Sequence, residues 1–247
     1  MAITDKEKGV WGLDQVYNKI NQGSIWSYNT TANLYTWGRN EYGQLGLNQA
    51  TSLSISSPTQ VPGSWGANDG MTLSGRKVSA RNHVLNIKGD GTLWSWGHND
   101  YSQLGHNQPE NSKYSSPVQI PGTTWTPNIS TTNSNILAVK SDGTLWGWGR
   151  NWAGNIGDNT IINRSSPTQV PGSTWKYAAV GNYMQSFGIK QDGTLWSWGN
   201  NRYGGLAQNS VSPGPGNSGI SSPTQIPGTW VGVAGAGTDN GGVALRY

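Results

Sequence analysis

Three aspartates, Asp90, Asp142 and Asp192, stand 52 and 50 residues apart, and each is followed by Gly-Thr-Leu-Trp. Carboxylates that recur with the period of a fold could serve as acid–base pairs or calcium ligands. Each, however, opens an Asp-Gly turn, where the carboxylate bonds its own backbone and glycine takes the positive φ, so a turn accounts for the pair. No D-x-D-x-D-G run of the calcium-loop kind is present. His83, His98 and His106 have no carboxylate cluster beside them, and the eight-residue gap between the last two matches no metal-ligand spacing. There is no G-x-S-x-G nucleophile elbow, and the absence of cysteine removes thiolate catalysis, disulfides and Cys-based zinc sites. These residues predict a non-catalytic protein without metal or other cofactor.

The aromatic residues offer a different chemistry. Tyr42, Tyr101 and Tyr203 each lie five residues past the tryptophan of a Trp-Gly step, and Trp152 lies one place earlier in its own copy. Rings so placed on one face could stack on sugar rings, with Arg39, His98, Arg150 and Asn200 bonding hydroxyls. Alternatively, each ring covers its own turn. The loops beyond them differ in length and content, at 47–55, 106–114, 158–164 and 207–220. In a repeat scaffold such variation marks the face free to evolve contacts. That face is the candidate recognition surface.

The elements that must carry these residues are legible as repeats. Trp37, Trp96, Trp148 and Trp198 head the Trp-Gly steps at spacings of 59, 52 and 50 residues. A second phrase, SSPxQxPG, begins at Ser56, Ser115, Ser165 and Ser221, and a further tryptophan follows each: Trp65, Trp125, Trp175 and Trp230. Two markers in fixed order at this period point to a propeller or solenoid. In FGIKQDGTLWSWG, alternation on both sides of Asp-Gly predicts a hairpin pairing 187–190 with 194–199. Trp196 and Trp198 then share one face, available to pack against the next blade. Proline lacks the donor that a central strand needs, which places the SSPxQxPG phrase at an edge or a crossing between sheets. Three to four short strands per unit make a propeller blade.

Composition agrees with one all-β domain. Thirty-six glycines and 12 prolines in 247 residues would suit a disordered chain, but 14 tryptophans supply apolar area that such a chain lacks. The net charge is +4, yet the basic residues are scattered singly, which argues against nucleic-acid binding. No stretch is apolar and long enough for a signal-peptide core near the start or a membrane span further on.

The runs WGRNEYGQLG at 37–46 and WGHNDYSQLG at 96–105, each followed by a longer loop and SSPxQxPG, resemble the regulator-of-chromosome-condensation repeat. WGRNWAGNIG at 148–157 and WGNNRYGGLA at 198–207 are weaker copies. The resemblance implies a β-propeller over residues 23–247. Members usually have seven blades, whereas this chain has four of the phrases, so a small closed ring of four blades is the expectation. GGVALRY at 241–247 stands where FGIK stands in other units, and closure would pair it with 34–38. SIWSY at 24–28 competes for that position, which leaves a partial fifth blade or a ring completed by oligomerisation as alternatives.

Residues 1–22 read as a separate docking segment. Trp11, Val16, Tyr17 and Ile20 recur near helical spacing, Asp14 favours a helix start and Gly23 a stop, so a short helix is predicted, either a cap under the propeller or a docking handle. Gly9, Val10, Trp11, Leu13 and Tyr17 resemble a short segment of tailed-bacteriophage structural proteins. That resemblance implies a virion location and role: a decoration, tail or fibre component contacting other virion proteins (capsid or tail) or host-surface glycans. The propeller resemblance alone implies a protein–protein regulator, as among cellular members that include nucleotide-exchange factors and a β-lactamase inhibitor. A glycan-active enzyme would need convergent carboxylates that the sequence does not offer.

Overall fold

The computed structural model describes residues 33–49, 54–63, 65, 82–88, 90–211, 219–235 and 241–246. The predicted helix and its docking residues Trp11, Leu13, Val16, Tyr17 and Ile20 lie outside the described residues, as does 24–28. Every regular element described is a strand.

The strands form five antiparallel sheets in chain order. The first pairs β1 (Tyr35–Gly38) with β2 (Ile55–Gln60), and the second holds β3 (His83–Ile87), β4 (Leu93–Asn99) and β5 (Ser112–Gln119). The third contains β6 (Trp125–Thr131), β7 (Asn135–Lys140), β8 (Leu145–Gly149) and β9 (Arg164–Val170). The fourth repeats it with β10 (Trp175–Val180), β11 (Gln185–Lys190), β12 (Leu195–Asn200) and β13 (Gly219–Ile226), and the fifth pairs β14 (Trp230–Gly235) with β15 (Gly242–Arg246). Within each sheet, sequence neighbours are ladder neighbours, so the three- and four-stranded sheets are blades of an all-β propeller and the two-stranded first and fifth sheets are parts of blades.

The predicted hairpin is present, with Phe187 opposite Ser197 and Ile189 opposite Leu195. The SSPxQxPG phrase forms β2, β5, β9 and β13, an edge strand each time, where proline removes no ladder bond. The turn between the inner strands is a local clip. Asp90 Oδ1 accepts from Thr92 N at 2.9 Å and from its hydroxyl at 2.6 Å, and Thr92 Oγ1 accepts Trp94 Nε1 at 2.9 Å. The same clip recurs at Asp142–Thr144–Trp146 and Asp192–Thr194–Trp196. The glycine of each Trp-Gly step sits at a register shift. There φ is +102° at Gly97, +93° at Gly149 and +95° at Gly199, and a Cβ would lie within 2.5, 2.3 and 2.1 Å of the carbonyls of Asn82, Ser134 and Met184. Only glycine fits so close an approach.

The core lies between the blades. Trp96, Trp148 and Trp198 are fully buried, and their indole N–H groups donate to the carbonyls of Gln44, Gln103 and Asn155 at 2.9, 3.0 and 3.1 Å. Each acceptor belongs to the preceding unit, which corrects the expectation that these indoles meet the next blade. The slot is lined by Gly46, Gly105 and Gly157, where a Cβ would lie 2.7, 2.8 and 2.6 Å from the indole nitrogen. Trp125 and Trp175 cross the buried indoles of their own blades edge-on at 5.8 and 5.9 Å, and Trp65, which lies between the first two blades, meets Trp96 tilted at 5.5 Å. Burying one indole of roughly 200 Å² at about 25 cal per Å² contributes up to ~5 kcal/mol. These joints therefore dominate the stability of the blade stack.

Among the described residues, β1 has only β2 as a ladder partner and β15 only β14. Among the described residues, 34–38 therefore does not pair with 241–246, the contact expected to close a four-bladed ring. Gly105→Ala puts a methyl into the indole slot at a left-handed φ of +72°, and is expected to cost about 1–3 kcal/mol. Urea unfolding tests this, and an unchanged midpoint would refute the slot as the origin of blade order.

Candidate functional site: the loop face

The loops after each Trp-Gly step leave the same end of their blades, because β1, β4, β8 and β12 are the equivalent strands of their sheets. The Asp-Gly turns emerge at the opposite end, where Lys88, Lys140 and Lys190 lie 4.0, 4.5 and 4.4 Å over the rings of Trp94, Trp146 and Trp196.

On the loop face a buried asparagine staples each loop. The Oδ1 atoms of Asn40, Asn99, Asn151 and Asn201 accept from the backbone N–H of Leu45, Leu104, Ile156 and Leu206 at 3.0, 2.9, 2.8 and 3.2 Å. Sequence reasoning passed over these asparagines, although their constant place three residues after the tryptophan was a readable signal. A second asparagine with left-handed φ, at 48, 107 and 159, reaches the next blade. Its N–H donates to Ser115, Ser165 and Ser221 carbonyls at 2.7, 2.7 and 2.9 Å.

The candidate aromatics fall into two groups. Tyr42 meets the His98 ring edge-on at 4.3 Å, and Tyr101 lies under the Arg150 guanidinium at 4.7 Å. In both, the residue following Trp-Gly in one unit covers the tyrosine of the unit before, an arrangement that neither an open sugar platform nor a ring folded over its own turn anticipates. His98 also bonds Asp100 at 2.7 Å. Arg150 stacks on Trp152 at 3.5 Å. Trp152 and Tyr203 remain exposed, and Tyr203 is approached by Arg202 at 5.2 Å. Asn200 Oδ1 accepts the Arg202 N–H at 2.9 Å. Arg39 is exposed and pairs with Glu41, whose hydrogen bond and charge raise the guanidinium pKa.

The third loop adds apolar side chains to this face. Asp158 is buried and bonded by Arg164 Nε at 2.6 Å, and Asn151 Nδ2 donates to Asp158 and to the Ile162 carbonyl at 3.1 Å each. That network holds Ile161 and Ile162 out to solvent. Val211 and Tyr183, at the same end of the fourth blade, are exposed as well.

The histidines do not converge, and among the described residues no group of three or more acidic or histidine side chains could hold a metal ion. His83 is buried with Nε2 3.2 Å from Thr131 Oγ1, and His106 Nε2 lies 2.7 Å from Ser95 Oγ. Burial pushes both down to about 4, helped at His83 by His98 and opposed at His106 by a backbone bond with Val118. The three turn aspartates are held below their ordinary range mainly by the Thr92, Thr144 and Thr194 hydrogen bonds, as structural turns require.

Residues 32–67, 90–130 and 142–184 match the model of the regulator of chromosome condensation (RCC1) repeat. Three segments of the chain are thus similar to this repeat. It is 31% identical over 124 residues to the ultraviolet-B receptor UVR8 of Arabidopsis thaliana, covering 50% of this chain and 27% of the receptor. It is 29% identical over 159 residues to protein pim1 of Schizosaccharomyces pombe, covering 57% and 29%. With the E3 ubiquitin-protein ligase HERC2 of Homo sapiens the figures are 29% over 146 residues, 56% and 3%. The chain thus spans less than a third of each of these relatives. The fold superposes on Prp20p from Saccharomyces cerevisiae with a TM-score of 0.62 at 20% identity, covering 82% of this chain and 49% of that one. Human WBSCR16 gives 0.59 at 20%, covering 83% and 51%.

The buried histidines make stability depend on pH. Both are neutral when folded and take up a proton near 6.5 when unfolded, so stability is constant above that value and falls as pH drops towards 4. Each contributes a loss on the order of 3 kcal/mol. The denaturation midpoint should therefore decline between pH 6.5 and 4.5, and the decline should shrink in a His83→Gln, His106→Gln variant. Equal midpoints at pH 7 and 4.5 would contradict the buried neutral state.

Proposed function

We propose that this chain is a non-catalytic, protein-binding propeller whose contact surface is the loop face of its third and fourth units. One observation carries the reading: Trp152, Ile161, Ile162, Tyr203 and Val211 are exposed on loops that buried asparagines pin in place. Exposed aromatic and aliphatic side chains on a pre-ordered scaffold lose little entropy on binding, which is the chemistry of interface anchors. The relatives support a binding role in kind, since the Prp20p structure was described together with its binding to Gsp1p and histones.

A narrower reading makes the protein a bacteriophage virion component, in which residues 1–22 attach to capsid or tail proteins and the loop face meets a protein or a host glycan. Its support is the resemblance of residues 9–17 to phage structural proteins, a stretch outside the described residues. The relatives named above are eukaryotic proteins and lend it nothing.

Trp152→Ala with Tyr203→Ala should leave the urea midpoint within about 0.5 kcal/mol of wild type, because both rings are exposed. Binding of the cognate protein, measured by surface plasmon resonance, should weaken at least tenfold. Unchanged affinity refutes the loop face as the contact surface. A glycan-array signal lost in the same variant would redirect the reading to carbohydrate. Antibody detection of the chain in purified particles, abolished by Trp11→Ala with Tyr17→Ala, tests the virion reading separately.

A further inference from the structure

We propose that two copies of this chain mate end to end, the β1–β2 half-blade of each completing the β14–β15 half-blade of the other, to close one eight-bladed ring. This inference does not rest on the proposed function; it draws Tyr203 and Val211 into the joint and leaves Trp152, Ile161 and Ile162 on the free part of the loop face.

The ends carry the two halves of the joint that operates between blades elsewhere. Trp37 occupies the register of Trp96, Trp148 and Trp198, yet it is 62% exposed while they are fully buried. At the other end, the loop 201–207 has the internal staple of a filled slot, with Leu206 N–H on Asn201 and Ala207 N–H on the Gly204 carbonyl. No indole enters it among the described residues. An open depression of about 550 Å³ lies there, lined by Gly204, Ala207, Asn209, Ser210 and Val211. The carbonyl equivalent to Gln44, Gln103 and Asn155 is that of Gly205.

Three further half-contacts match across the same gap. Arg39 is the counterpart of His98 and Arg150 and covers no tyrosine among the described residues, while Tyr203 is the counterpart of Tyr42 and Tyr101 and is 61% exposed. Asn209, at φ 56° like Asn48, Asn107 and Asn159, has the N–H that would reach a serine carbonyl; the equivalent serine is Ser56, exposed on β2. Gly154 faces Ser221 so closely that a Cβ would lie 2.5 Å from its Cα, and Gly43 faces Ser115 at 2.6 Å, whereas Gly204 meets only its own loop. Finally, β15 aligns with β11 through its ladder to the inner strand: Leu245 lies opposite Gly232 as Ile189 lies opposite Tyr177. Transferring the β11–β12 register sets Val243 opposite Thr36 and Leu245 opposite Leu34. Val243 and Leu245 are 67% and 65% exposed, the apolar free edge that strand pairing removes.

Curvature decides between mating with itself and mating with another copy. A closed ring turns about 90° per blade with four blades and about 45° with eight. The chain superposes over most of its length on about half of each longer propeller, so the described blades subtend about half a ring and β1 and β15 do not pair within it. A head-to-tail contact that closes after two copies gives a discrete dimer. Ala207 stands where the filled slots have glycine, and its methyl points into the receptacle, so the indole enters less deeply at this joint than inside the chain.

The natural chain has no cysteine, which makes cross-linking unambiguous. Thr36→Cys and Val243→Cys are made in separate chains, mixed, and oxidised; directly opposite strand positions meet disulfide geometry. The expected product is a covalent dimer of one chain of each kind. Native mass spectrometry of the unmodified chain should give twice 26.5 kDa. Trp37→Ser, at an exposed site that leaves the fold intact, should raise the dimer dissociation constant at least tenfold, and Ala207→Gly should lower it. A monomer, a disulfide formed only when both cysteines are in one chain, or assemblies larger than two would each overturn the proposal. So would residues 24–28 occupying the β1 edge, which would leave the mixed chains uncross-linked.

Discussion

One contact organises this molecule: an indole from each of three blades, Trp96, Trp148 and Trp198, inserted into a glycine-lined slot of the blade before it, with its N–H satisfied by a backbone carbonyl. A buried tryptophan needs a partner for its single donor, and a carbonyl offered by a folded loop supplies one without a competing side chain. The three filled slots take the ring to this depth because Gly46, Gly105 and Gly157 have no Cβ. The coupling of Trp-Gly to a downstream glycine is therefore a relation between adjacent units, and each unit of the repeat is unfinished without its neighbour.

The remaining polar residues of the repeat hold that joint in register. Asp-Gly-Thr fixes the hairpin and bonds the outer indole. The buried asparagine three residues past the tryptophan folds the loop that supplies the slot. The pKa depression of the turn aspartates follows mainly from their hydrogen bonds with threonine.

A blade joint repeated along an arc leaves one donor and one acceptor end. Trp37 and Tyr203 are exposed on opposite sides of the described blades, whereas Trp96, Trp148 and Trp198 are buried and Tyr42 and Tyr101 half-buried. Ala207 is a departure in the acceptor end that distinguishes it from the internal slots.

Period, strand type, hairpin position and edge placement of the SSPxQxPG phrase were legible in sequence, because each depends on interactions within about fifty residues: alternation, Asp-Gly turn chemistry and the missing proline donor. Locally determined too was the structural role of Asp90, Asp142 and Asp192. Which neighbour receives each indole was not, since Trp148 and Gly105 are 43 positions apart and their relation appears only once blades stack. The cover of Tyr42 by His98 and of Tyr101 by Arg150 is likewise a product of stacking. Ring closure lay furthest from sequence: the same phrases suit four blades or more, and which strand completes the sheets of β1 and β15 depends on how the blades stack and not on any local pattern.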